Sequence, residues 1–262
     1  MSGPGYAQGP SPTPHAVSAH QAREALEADL ASLPDLAARL SVAMLDRLEA
    51  YVALLLAANE RLNLTRVTEP VAIARMHLLD ALVALPLLND LPSSLAVDLG
   101  SGGGVPAIPI AIARPDLSWL LVDSVGKKAR ALAGFVEALG LRAVEVIADR
   151  AEILGRDPRY RERAGLVTAR AVAALPVLAE LALPLLIGGG RLVAWKGPLA
   201  AGDEELRRGV RAVTQLGGGM PAVLGVDAPQ LGGHALVRVT KERPTPPGYP
   251  RRPGEPARRP LG

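Results

Sequence analysis

The sequence predicts an α/β fold, an open doubly wound sheet preceded by a helical N-terminal segment. Two patterns carry that expectation. From Ser94 onward, short β-rich runs alternate with helical ones, the arrangement of a parallel sheet covered on both faces. Before Ser94 the apolar residues recur at helical spacing instead. With 262 residues, 49% apolar and 21% charged, the chain can bury a sizeable core and has the balance of a globular protein.

Residues 1–20 are Gly/Pro/Ser-rich and read as disordered; they lack the basic-then-apolar order of a secretory signal. Residues 21–92 read as a helical segment. Leu36, Leu40, Met44, Leu45, Leu48, Val52, Leu55 and Leu56 make a stripe along one long helix, whose role is core packing. A second helix starts at Glu69-Pro70, where proline suits a first turn, and carries Ile73, Met76, His77 and Asp80. Residues 93–241 form the α/β domain, with strands at 95–99, 119–123, 144–147, 166–169, 191–195 and 236–240. Helices are expected at 127–139 and 203–216. The run 234–241 reads as an added edge strand, and 242–262 as a basic Pro/Arg-rich tail.

No apolar run reaches the roughly 20 residues of a bilayer span, so a soluble cytoplasmic chain with no membrane partner is expected. Zero cysteines exclude disulfides, thiolate metal sites and a cysteine nucleophile. The four histidines are scattered, so no metal is expected. Formal charge is +3, but it is unevenly placed: from Lys241 onward six basic residues face two acidic ones, which leaves the body at −1. A polycationic tail suits phosphates. Truncating it is then expected to weaken RNA binding and flatten its salt dependence without moving cofactor affinity. If the prolines instead lay the tail across the last strand as a clamp, truncation lowers the melting temperature.

The segment Asp98-Leu99-Gly100-Ser101-Gly102-Gly103-Gly104-Val105-Pro106 lies between the first strand and a helix, where open α/β sheets bind ligands. Glycines there let the backbone turn sharply and approach a ligand, and the following helix aims its N-terminus at it. Two ligand classes fit. A dinucleotide fingerprint can be forced onto Gly102, Gly104 and Ala107. The acidic-x-Gly-x-Gly-x-Gly pattern from Asp98 through Gly100, Gly102 and Gly104 fits without strain, and is the pattern of S-adenosylmethionine (AdoMet) methyltransferases. Asp123 ends the second strand about 20 residues on, where a carboxylate accepts ribose hydroxyls of either cofactor. Asp123→Ala is expected to weaken the ligand while leaving the fold intact.

Further motifs occur in one order: Asn63-Leu64-Thr65, Arg75-x-His77-x-x-Asp80, the glycine segment through Ile108-Pro109, Leu121-x-Asp123-Ser124-x-x-Lys127-Lys128, Arg150-x-Glu152, Arg170-Ala171 and Lys196-Gly197. Together they resemble the RsmG (GidB) family of bacterial 16S rRNA methyltransferases, from about Leu45 to the tail motif Tyr249-Pro250-Arg251-Arg252-x-Gly254-x-Pro256. The resemblance implies a Rossmann-like class I AdoMet-dependent methyltransferase fold. It also implies methylation of guanine N7 in 16S rRNA, free or in the small ribosomal subunit, by a monomer. Gly100 and Val105 would line the AdoMet pocket, Asp123, Ser124 and Val125 its ribose side, Ala151 and Glu152 its adenine side, and Arg170 its reacting end. The sequence departs from the family's usual glycine at Ala107 and usual serines at Ala81 and Ala169.

Guanine N7 carries a lone pair and no proton, so its methylation needs alignment rather than a general base. No catalytic base is therefore assigned; Arg170 and Lys196 are placed near the reacting end. Lys127, Lys128, Arg130, Arg170, Lys196, Arg251 and Arg252 are the candidate phosphate contacts. Trp195, Tyr160 and Phe135 could stack on a base or be core residues. His77 and Asp80 read as a hydrogen-bonded structural pair. The alternatives are an NAD-dependent oxidoreductase on the same fold and a non-catalytic rRNA-binding protein.

Overall fold

The computed structural model describes residues 13–197 and 204–262. Helix α1 (Pro14–Leu30) begins where the Thr13 hydroxyl accepts the Ala16 N–H at 3.3 Å, with proline in the first turn. Residues 13–20 are therefore not disordered: Ala19 is fully buried and fastens the helix to the core. Residues 1–12 of that expectation lie outside the described residues. The single long helix also divides in two. Leu36 sits on α2 (Pro34–Ala37), and Ser41 caps a separate α3 (Val42–Leu62) by accepting the Met44 N–H. Both helices turn apolar faces to one core, so the stripe reads through the break.

Helix α4 (Pro70–Ile73) is capped by both carboxylate oxygens of Glu69. It widens into a π-helical turn, Ala74–Leu79, and continues as α5 (Asp80–Leu82). The absence of any membrane-length apolar stretch needs correcting here. The helical stretch Pro70–Leu88 is 19 residues long with mean hydropathy 1.8, enough by length and composition alone. In this fold 61% of it is buried against the rest of the chain, as a core helix is.

Strands β1 (Leu95–Leu99), β2 (Ser118–Val122), β3 (Val144–Ile147), β4 (Ala164–Arg170), β5 (Leu186–Lys196), β6 (Ala222–Gly225) and β7 (Ala235–Thr240) form one sheet. Its order is β3-β2-β1-β4-β5-β7-β6. The first five strands are parallel, and β7 runs antiparallel to both neighbours, so the sheet is mixed rather than parallel. β7, expected at the edge, is covered by β6. That strand is four residues long between glycine-rich and Pro-containing turns, too short to announce itself by periodicity.

The intervening helices are α6 (Ala107–Ala113), α7 (Gly126–Ala138), α8 (Ala151–Leu154), α9 (Leu175–Ala182) and α10 (Glu204–Gln215). One face of the sheet is covered by α6 and α7, on which α3 and then α1 pack in turn, and the other face by α9 and α10. The N-terminal helices share their core with the sheet: Leu26, Tyr51 and Leu79 belong to the same buried cluster as Ile110, Trp119 and Leu166. Strand order reverses direction between β1 and β4, which opens a crevice at their carboxyl ends.

The tail is docked, not loose. Lys241 is buried and donates to the Leu183 carbonyl at 2.5 Å and to the Thr245 hydroxyl. Arg161 donates to the Tyr249 carbonyl at 2.7 Å, and Arg156 to that of Pro250 at 2.6 Å. Arg251, expected to meet RNA, forks onto Glu180 of α9 at 2.9 and 2.6 Å, and its own N–H adds a third bond at 2.8 Å. Glu180 is fully buried in an otherwise apolar helix, so its charge demands such a partner. The chain closes with α11 (Glu255–Arg258), seated against α9. The tail is fastened down as the clamp alternative has it, but against α9 and the segment before β4 rather than across the last strand. Arg251→Ala strands the Glu180 charge and should cost about 3–5 kcal/mol. A thermal melt should then shift down by roughly 10 °C, while Arg252→Ala, at an exposed position, leaves it nearly unmoved.

Candidate functional site

The loop after β1 turns through left-handed glycines, with φ of 68° at Gly100, 54° at Gly102 and 96° at Gly104. A Cβ on Gly104 would lie 2.5 Å from Ile108 Cδ1, so the position accepts no side chain. Helix α3 supports the loop from behind: the buried Tyr51 hydroxyl donates to the Gly103 carbonyl at 2.8 Å. In front, the Asp123 carboxylate accepts the Gly102 N–H and the Val125 N–H, each at 2.8 Å. Asp123 thus fastens the first loop to the second. The expectation that Asp123→Ala spares the fold is corrected on that ground.

Asp98 is 1% exposed. Its Oδ1 accepts the Thr168 hydroxyl at 2.7 Å, and its Oδ2 has no partner. Burial pushes its pKa up to about 7 despite the Thr168 bond. Beyond β3, Glu152 is also buried and accepts the Gly254 N–H at 2.7 Å and Arg150 at 3.2 Å. Burial pushes Glu152 up, but those donors outweigh it and hold the carboxyl below its usual range.

These loops enclose a cavity of about 280 Å³ bordered by Gly100, Ser124, Ala151, Glu152, Val172 and Pro256. It gathers Gly100, Ser124, Ala151 and Glu152 of the predicted cofactor residues. Asp98, Gly102, Gly104, Val105, Asp123 and Val125 do not line it; they build or flank the loops that do. Arg170 borders a second cavity, of about 330 Å³, with Met76, Asp80, Trp195, Lys196 and His234. Val172 and Ala173 line both cavities, so the two are neighbours.

Arg170 is held on several sides. It donates to the Met76 carbonyl, to Asp80 Oδ2 at 2.8 Å and toward His77 Nδ1 at 3.1 Å. Burial, then the adjacent guanidinium, pushes the His77 pKa down to about 4, so the ring is neutral at physiological pH. With Nδ1 facing a donor, the ring proton belongs on Nε2, directed at the Thr65 hydroxyl 2.8 Å away. His77 and Asp80 therefore do not pair with each other, as the sequence suggested. Arg170 bridges them, and His234 Nδ1 holds the other Asp80 oxygen at 3.0 Å.

Lys196 is engaged within the chain: its ammonium bonds Glu205 at 2.6 Å and the Ala173 carbonyl at 3.0 Å. Lys127 and Arg130 are exposed and Lys128 half-buried on the first turns of α7, outside both cavity walls. Trp195 is buried and donates to the Asp80 carbonyl at 2.6 Å. Phe135 is buried edge-on to Tyr51 and is a core residue, whereas Trp195 also borders the second cavity. Ala81, Ala107 and Ala169 are all buried, where small side chains fit. Among the described residues, no group of three or more His, Cys, Asp or Glu could hold a metal ion.

Thr65, Thr168, Tyr51 and His234 went unassigned in the sequence. Thr168 carried a signal, being the lone hydroxyl within the buried run of β4. Thr65 stood in the motif Asn63-Leu64-Thr65 without a role, and Tyr51 and His234 are brought in by tertiary structure alone.

The sequence model of the GidB family, described as rRNA small subunit methyltransferase G, matches residues 44–224. A ribosomal RNA small subunit methyltransferase G of Roseiflexus castenholzii is 44% identical over 223 residues, covering 85% of this chain and 94% of that protein. One from Deinococcus deserti is 45% identical over 219 residues, 83% and 89% of the two chains. Among solved structures, StiE O-MT residues 961-1257 superimposes with TM-score 0.51 at 16% identity, covering 66% of this chain and 76% of that one. That likeness concerns the fold, which is Rossmann-like as the sequence predicts.

Replacing Asp123 by alanine removes two charge-assisted bonds and should destabilise the protein by about 3 kcal/mol. Hydrogen exchange should quicken at the Gly102 and Val125 amides first. Unchanged exchange there would show that the carboxylate does not hold the loops.

Proposed function

Since the chain belongs to the GidB family of small-subunit ribosomal RNA methyltransferases, we propose that it transfers the methyl group of AdoMet to N7 of a guanosine in 16S rRNA. The observation that carries the cofactor assignment is the unpartnered, buried Oδ2 of Asp98 beside the glycine loop. A buried acceptor without a donor is rare, and the ammonium of a methionine moiety is the donor it lacks. The fold is that of class I AdoMet-dependent methyltransferases, and the family assignment sets aside the NAD-dependent alternative.

When bound, the cofactor supplies an electrophilic methyl on a sulfonium. The residues of the chain bind and orient. Gly100, Gly102, Gly104 and Val105 let the backbone come close. Asp123, each of whose oxygens keeps a second lone pair, accepts ribose hydroxyls beside Ser124 and Val125. Ala151 and Glu152 border the adenine. Arg170, immobilised by Met76, Asp80 and His77, borders the reacting end together with Lys196, and the neighbouring cavity takes the target base. Lys127, Lys128, Arg130 and the exposed Arg252, Arg258 and Arg259 contact RNA phosphates. The chain works as a cytoplasmic monomer on 16S rRNA, free or within the small subunit.

The test is methylation of naked 16S rRNA and of small subunits with methyl-labelled AdoMet. The expected product carries about one label per RNA, on a guanine whose cationic ring makes the strand cleavable by borohydride and aniline. Label on an exocyclic nitrogen or a ribose would overturn the N7 assignment.

Asp98 gives a pH dependence. Its raised pKa means the carboxyl is protonated below about pH 7, and only the carboxylate pairs with an ammonium. Affinity for S-adenosylhomocysteine should fall by up to about tenfold per pH unit below neutrality. Asp98→Asn should bind weakly with a flat profile; a pH-independent parent protein would remove Asp98 from the site.

A further inference from the structure

Apart from the exposed Arg252, the motif Tyr249-Pro250-Arg251-Arg252-x-Gly254-x-Pro256 has no part in the function proposed above, yet most of its residues are engaged. Tyr249 gives its carbonyl to Arg161, and its hydroxyl accepts Gln215 Nε2 at 2.6 Å. Pro250 is buried against Gly155, where an added Cβ would come within 2.9 Å of its ring. Arg251 anchors on Glu180. Gly254, at φ 80°, donates its N–H to Glu152. Pro256 is buried, and with Ala257 it borders the 280 Å³ cavity.

These contacts converge on one place. Glu152 and Pro256 face the same space as Gly100 and Ser124, so the tail is a wall of that cavity and not merely a strap behind it. Glu152 takes one of its two described side-chain donors from the tail. Withdrawing the tail would open the cavity to water and leave Arg150 as the remaining partner. Resting on the assignment of this cavity to AdoMet, we propose that residues 249–258 form the outer wall of the compartment for the cofactor's nucleoside, so that only a chain with its tail docked binds tightly. Arg251 acts here as a positioning residue through Glu180, and Gly254 through Glu152. Coupling of this kind is reciprocal, so the bound cofactor also holds the tail in place. The sequence alone suggested the opposite, that truncation leaves cofactor affinity unmoved.

Two variants test this by calorimetry with S-adenosylhomocysteine. A chain ending at Pro253 keeps the Arg251–Glu180 anchor but loses Gly254, Pro256 and Ala257. Ala257→Trp in the full chain sets an indole at the cavity wall. Both should bind at least about tenfold more weakly, and Ala257→Trp should melt within about 2 °C of the parent without ligand. A folded, shortened chain with the parent's Kd overturns the proposal. Should that chain fail to fold, an unchanged Kd in Ala257→Trp overturns it alone. Failure of the unaltered full chain to bind S-adenosylhomocysteine is a different result, which overturns the assignment of the cavity itself.

Discussion

A carboxylate withdrawn from water costs several kcal/mol unless donors replace its solvation. Five such groups lie buried in and around the carboxyl side of this sheet: Asp80, Asp98, Asp123, Glu152 and Glu180. Four draw their donors from elsewhere in the chain. Asp80 holds Arg170 and His234, Asp123 holds Gly102 and Val125, Glu152 holds Gly254, and Glu180 holds Arg251. Those bonds join the helical segment, two strand-end loops, the last hairpin and the tail around a single crevice. Asp98 stands apart, since one of its oxygens is buried and has no partner. That buried, unpartnered oxygen is the observation on which the proposed cofactor site rests.

The same demand makes the N-terminal helices part of the site. Tyr51 supports the glycine loop from α3, and Met76 and Asp80 wall the second cavity from the helix that follows. Thr65 and His77 continue the line to Arg170. Displacing these helices would therefore disturb both cavities, although no cofactor residue was expected among them. The shared core has the same consequence for folding, because the apolar cluster behind the loop closes only when both segments are present.

Much of this was legible in the residues. The glycine loop, Asp98 and Asp123 follow from local spacing, because a strand, a tight turn and a helix start each leave a mark within ten residues. The partner of Arg251 was not legible because it is remote: Arg251 and Glu180 lie 71 positions apart. Composition showed a surplus of arginine and could not show where it was spent. A signal was nonetheless present. Glu180 sits inside Leu175–Ala182, an otherwise apolar helix, and a lone acid there requires a cation from somewhere. Likewise the spacing of His77 and Asp80 was sound as far as it went, but the residue between their side chains comes from β4. Tertiary donors leave no periodicity, so they are invisible to pattern.

The state of the wall around the second cavity, proposed to take the target base, bears on the kind of nucleophile it suits. Abstracting a proton would require an acceptor free near neutral pH and aimed into the cavity. His77 is neutral, but its Nδ1 faces Arg170 and its other nitrogen meets Thr65. Both Asp80 oxygens are occupied, one by Arg170 and one by His234. Trp195 spends its N–H on the backbone of Asp80. Apart from the outer nitrogen of His234, these groups are bonded within the chain, and what they contribute is fixed position. Fixed position is sufficient for a nucleophile that already presents a bare lone pair, as guanine N7 does. An exocyclic amine or a ribose hydroxyl would also have to lose a proton, and His77 and Asp80 are already committed elsewhere.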